Sequence, residues 1–241
     1  MDKVGSNHFE KDPEVSSNLR VSTLGAKCAA FTDRMIGPAC TRPACIERCG
    51  RVEKTRLEAF SDGVIAVIIT IMVLELRPPH GSDLRALTPV IPTFLVYLLS
   101  FINVGIYWNN HHHMFATVKR IDGRVMWSNL HLLFWLSLTP FTVNWISERH
   151  FAALPTALYG GVLLMAALAY TLLTRALTTI PENASLSSAV GGDAKGLTSL
   201  GSYVLAIPLS FVNPWIAVSL YIAVAVVWFV PDPRIERRAT R

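Results

Sequence analysis

Arg56-Leu57-Glu58-Ala59-Phe60-Ser61-Asp62-Gly63-Val64-Ile65-Ala66-Val67-Ile68-Ile69-Thr70-Ile71-Met72-Val73-Leu74-Glu75-Leu76 decides the fold class. From Gly63 to Leu74 it holds no charged residue, and its ionic groups lie near its two ends. About 20 mainly apolar residues cross a bilayer as a helix, so Leu57 to Leu76 reads as a membrane span. Arg77-Pro78-Pro79-His80-Gly81 stops it, since proline cannot continue the hydrogen-bond ladder and glycine loosens the chain.

The pattern repeats further along. Ala86–Val118, Val125–Ser147 and Pro155–Thr174 contain no Asp, Glu, Lys or Arg, nor does Gly196–Pro231. The last stretch has 36 residues, and as one helix it would be about 54 Å long against a hydrocarbon core of about 30 Å. Asn213-Pro214 divides it into two, which makes six spans. Half of all residues are apolar (51%) and 16% are charged, where soluble domains carry about 25%. The chain therefore reads as an all-α membrane protein of six transmembrane helices, and composition excludes a secreted disulfide scaffold and a nucleic-acid-binding domain.

Three regions follow: a tail over 1–52 that mixes both charges with Ser, Pro and Gly and reads as disordered, a six-helix domain over 53–231, and a basic tail over 232–241. All four cysteines (Cys28, Cys40, Cys45, Cys49) lie in the first tail. Their spacing lacks the pair of pairs a zinc knuckle uses, so they read as reduced thiols. With six spans both termini share one side with loops 119–124 and 175–195. That side carries Lys54, Arg56, Lys119, Arg120, Arg124, Arg175, Lys195 and the C-terminal arginines, and the opposite loops carry Arg77, Arg85 and Arg149. The positive-inside rule then places both termini in the cytoplasm, and the protein in the cell membrane.

Asp62 is costly inside a membrane unless it finds a partner. The second span returns to the same face and ends in Trp108-Asn109-Asn110-His111-His112-His113, a polar segment expected to leave the lipid at the depth of Asp62. A network of Arg56, Ser61, Asp62 and one or two of the histidines would satisfy these groups, either as a structural clasp or as a proton relay. Consecutive helical residues point about 100° apart, so three histidines in a row cannot converge on one metal ion. No nucleophile–base spacing and no phosphate-cradling glycine loop occurs, so neither an enzyme nor a cofactor is expected. Val67, Ile71 and Leu74 recur at i, i+4 and i+7, with Thr70 beside them. Repeated around an axis, that face would form apolar rings able to gate a pore by dewetting. The same stripe could equally pack against other helices.

Arg56-Leu57-Glu58-Ala59-Phe60-Ser61-Asp62 matches Arg, three variable residues, then Phe-Ser-Asp, and so resembles the transmembrane protein 175 family. Trp108, His111 and His112, with Pro140-Phe141 in the third span, extend the resemblance over about residues 53–231. The likeness is to lysosomal and prokaryotic potassium channels that lack a carbonyl-lined filter loop. It implies a homotetramer in the lipid bilayer that conducts potassium ions through a pore lined by the first helix. By offset from Asp62, the apolar constriction falls on Val67, the hydroxyl layer on Thr70, and further rings on Ile71 and Leu74. Val67 is smaller than the Ile or Leu usual there, which could widen the plug or move the gate to Ile71. A proton channel or proton-coupled transporter using Asp62 and His111–His113 is the alternative.

Overall fold

The computed structural model describes residues 43–79, 81–184, 186 and 194–229. Residues 1–42, with Cys28 and Cys40, and the C-terminal tail lie outside them, and the side chains of Cys45 and Cys49 are likewise not described. The described residues form seven α-helices: α1 Pro43–Leu74, α2 Ile91–Thr117, α3 Gly123–Ser137, α4 Thr139–Glu148, α5 Ala153–Thr178, α6 Ala194–Val212 and α7 Pro214–Phe229. A 3-10 turn, Leu84–Val90, leads into α2, and another, Pro181–Asn183, follows α5. Glu53–Leu74, Leu84–Thr117, Ala153–Thr178 and Lys195–Val212 are long and apolar enough to cross a membrane, and Pro214–Phe229 is apolar but shorter. With α3 and α4 counted as one broken span, six apolar helical segments result.

Two boundaries differ from the sequence reading. α1 starts at Pro43, so residues 43–52, expected to be disordered, are helical. Pro43 suits a first helical position because its fixed φ is already helical and its missing N–H is not needed there. The third span is two helices meeting at Leu138. Pro140, in the first turn of α4, has no N–H to give to the preceding turn, and the Thr142 hydroxyl bonds the Thr139 carbonyl at 2.9 Å just after the break. α2 runs on helically to Thr117, with His111 buried in the bundle. The division at Asn213-Pro214 is present, and Asn213 caps α7 by accepting from the Trp215 backbone N–H at 3.0 Å.

α5 is the central helix, packed against α3, α4, α6 and α7. Its buried positions include Ala157, Gly160, Ala166 and Ala169, and small residues let membrane helices approach closely. α2 packs against α4 and α7, and α6 against α7. Loops 118–122 and 179–184 are joined through the fully buried Asn183. Its Oδ1 accepts from the backbone N–H groups of Lys119 (2.9 Å) and Arg120 (3.1 Å), and its Nδ2 donates to the carbonyls of Arg120 (2.9 Å) and Leu177 (3.2 Å). An exposed Arg120–Glu182 ion pair at 2.9 Å lies beside it.

Candidate functional site: the first helix and its clasp

Two faces of α1 are both apolar and do different things. Leu57, Ser61, Ile65, Ile68 and Met72 recur every three or four residues and are buried. Val67 (54% exposed), Ile71 (42%) and Leu74 (78%), with Thr70, lie away from that face and are open. Thr70 returns its hydroxyl to the Val67 carbonyl at 2.9 Å, so its proton is used within the helix while its oxygen stays accessible. The helix is thus held by one apolar stripe and leaves the other uncovered by its own chain.

Polar contacts at the N-terminal half of this stripe fix its position. Ser61 Oγ donates to the Leu57 carbonyl (2.9 Å) and accepts from Asn129 Nδ2 (2.8 Å). Asn129 Oδ1 in turn lies 2.9 Å from His111 Nε2, and the His111 ring stacks on Phe115 with centroids 4.4 Å apart. Ser61, Asn129 and His111 are all buried, and together they join α1, α3 and α2. Since Asn129 Nδ2 donates to Ser61, its Oδ1 is the acceptor toward His111, which places the proton of that bond on Nε2.

Asp62 belongs to a second contact. Trp108 Nε1 donates to its Oδ1 at 2.9 Å, and His112 stacks on the Trp108 ring at 5.8 Å. The expected meeting of the Asp62 end of α1 with the triple-histidine segment is therefore present, with its membership corrected. Arg56 is exposed and joined to neither contact. Phe60 is also exposed. Only His111 enters the buried network, while His112 and His113 point outward, because successive helical side chains diverge by about 100°. Pro140 is buried at the start of α4, and Phe141 beside it is exposed. Asn129 was missed by the sequence reading. Its signal was present: an amide in the charge-free third span needs a buried partner.

At the far end, Arg77 Nη2 lies 3.4 Å from Glu148 Oε1, in an exposed pair between the chain just beyond α1 and the end of α4. Such a pair contributes about 0–1 kcal/mol, so α1 is fixed chiefly around Ser61 and Asp62.

The family model described as "Endosomal/lysosomal potassium channel TMEM175" matches residues 56–140, which spans both contacts. A Chryseobacterium protein named "Potassium channel HX13_20290" is 54% identical over 185 residues, covering 76% of this chain and 96% of its own. The crystal structure of a lysosomal potassium-selective channel TMEM175 homolog from Chamaesiphon minutus superposes with a TM-score of 0.62 at 29% identity, over 74% of this chain and 97% of that one. A more distant relative, the Gallus gallus "Endosomal/lysosomal proton channel TMEM175", is 31% identical over 109 residues, 40% of this chain and 22% of its own. Near-complete coverage of a close relative, agreement of the fold and a family match centred on the clasp lead to one conclusion: this chain belongs to the TMEM175 family, whose members are membrane ion channels and not enzymes.

Proposed function

We propose that the protein is a potassium-preferring channel, a homotetramer in the cell membrane whose pore is lined by α1 from each subunit. The observation that carries this reading is the uncovered face of α1, with Val67, Thr70, Ile71 and Leu74 directed away from the subunit's own core. Four such faces around an axis would stack apolar rings with a hydroxyl layer at Thr70. Val67 or Ile71 would form the constriction, which passes ions only when wetted. Potassium preference is supported by the names of relatives matched over nearly their whole length. Both termini are assigned to the cytoplasm on the basic residues of the loops on that side.

In this reading the clasp is structural. Asp62 bonds Trp108 while His111 bonds Asn129, so the two titratable groups are not joined into a relay. Potassium efflux from proteoliposomes tests the proposal: Val67→Asn should hydrate the constriction and raise flux, and Thr70→Ala should lower the preference for potassium over sodium in bi-ionic reversal potentials. No flux from the wild-type protein or from either variant would end the channel reading, as would a monomer in mild detergent. Asp62→Asn keeps an oxygen acceptor for Trp108 and should conduct normally. Loss of a pH-driven flux in that variant, with folding intact, would instead favour the proton pathway.

A further inference from the structure

On the side of α2 away from α1, a cleft opens between α2, α5, α6 and α7. Its floor includes Tyr203 and Ser199, both buried, and its rim includes the half-buried Tyr107, Asn110, Tyr170 and Trp228. Ser199 is occupied: its hydroxyl donates to the Lys195 carbonyl at 2.8 Å and accepts from Trp228 Nε1 at 2.7 Å. Tyr107, Tyr203 and Asn110 are different. Their side-chain polar groups make no hydrogen bond among the described residues, and Tyr203 is only 3% exposed. No buried side-chain nitrogen or oxygen lacks a partner among the described residues, so the unpaired groups of these three open into the cleft, and its apolar surroundings favour an occupant that bonds them. Three of them converging on one cleft call for an occupant that hydrogen-bonds.

Size and charge narrow the occupant. The cleft offers about 40 Å³ of space to water-sized groups, and one water needs roughly 10–15 Å³ by this kind of measure. A hydroxyl or amide head fits within that space. The remainder of a ligand would have to lie in the open part of the cleft, against the faces of Tyr107, Tyr170 and Trp228. No charged side chain lines the cleft, which disfavours an ion or an ionic headgroup in a low-dielectric surrounding.

We infer that this cleft is a binding site for a small uncharged amphiphile, with its hydroxyl or amide head on Tyr203 and Asn110 and its apolar body against the aromatic rim. The site is independent of the pore assignment, because none of its residues lies on α1.

The probe is 4-hexylphenol, compared with 4-hexylanisole, which has the same outline but no donor. Thermal unfolding of the full chain in detergent is followed as each compound is titrated. The phenol should raise the melting temperature saturably, and the anisole should need at least a tenfold higher concentration for the same shift. Tyr203→Phe should weaken the phenol's effect at least fivefold while leaving the anisole's unchanged. Asn110→Leu, at the half-exposed rim, should do the same and serves if Tyr203→Phe does not fold. Equal, non-saturating effects of both compounds would mean partitioning only and would overturn the site. So would an undiminished phenol response in a folded Asn110→Leu protein, since the unpaired groups would then hold water alone.

Discussion

Gly160 and Gly161 are neighbours on the central helix, and alanine should act on them in opposite directions. A Cβ built on Gly160 meets the Tyr221 hydroxyl and lies 2.8 Å from Tyr221 Cζ and 3.1 Å from Cε1, whereas one built on Gly161 meets nothing within 4 Å. The Tyr221 ring cannot simply swing away. It is fully buried, its edge meets Tyr159 with centroids 5.5 Å apart, and Tyr203 lies 6.1 Å off. Its hydroxyl also donates to the Thr156 carbonyl at 3.1 Å. Overpacking of this kind costs about 1–3 kcal/mol, and losing the hydrogen bond adds about 1 kcal/mol. Replacing a helical glycine by alanine returns up to about 1 kcal/mol. With two ring atoms affected the clash sits at its upper end, so Gly160→Ala should lose about 3 kcal/mol and Gly161→Ala should gain up to about 1 kcal/mol. For a chain of this size 1 kcal/mol moves the melting temperature by about 2–4 °C, so the expected fall is about 6–12 °C for Gly160→Ala, read by thermal unfolding in detergent. Tyr221→Leu in the Gly160→Ala background should recover part of it, and the two changes should be non-additive. A Gly160→Ala protein as stable as the wild type, or stabilised like Gly161→Ala, would refute the close approach of α5 and α7.

Other positions give further tests. Asn129→Ala removes both bonds of the α1–α3–α2 network and leaves a buried histidine nitrogen unpaired, so it should cost about 2–4 kcal/mol, measurable as a lower melting temperature. Asn183→Ala should cost a similar amount by opening four hydrogen bonds, three of them between the two loops; Asn183→Asp should be no better, because the bonds to the Arg120 and Leu177 carbonyls need a donor. The Glu182 carboxyl is held below the ordinary glutamate value, first by its own backbone N–H and then by Arg120. A depressed carboxylate stabilises the fold above its unfolded value and ceases to as pH falls through the folded one. The melting difference between wild type and Glu182→Gln should therefore be present at neutral pH and vanish below the usual carboxylate range.

Much of this was readable from the sequence because membranes impose simple rules. Charge-free stretches long enough to span, with Asn213-Pro214 as a divider, place the helices directly. The pairing of the Asp62 end of α1 with the Trp108–His113 segment follows from antiparallel spans meeting at equal depth. Partner choice was less legible. Arg56 and Asn129 are both polar residues near Ser61 in the fold, and only three-dimensional packing decides that the amide enters and the guanidinium stays outside. The break at Leu138 is local backbone chemistry hidden inside an apolar run. The start of α1 at Pro43 lay within a mixed-charge composition that suits a helix as well as a disordered tail. Close approaches such as Gly160 to Tyr221 join residues 61 positions apart, and no spacing rule reaches that far.

The uneven anchoring of α1 has a mechanical consequence. Among the described residues, no neighbouring backbone runs closely alongside it as the others do with one another, and its buried hydrogen bonds to other helices gather at Ser61. Beyond Asp62 it rests on Ile65, Ile68 and Met72, whose contacts have no preferred direction and tolerate sliding. The part beyond the clasp is a lever pivoted at Ser61, with Leu74 some 20 Å from the pivot at 1.5 Å per residue. A tilt of about 5° there displaces the tip by roughly 1.7 Å, about a third of the helical pitch, while leaving every bond of the clasp in place.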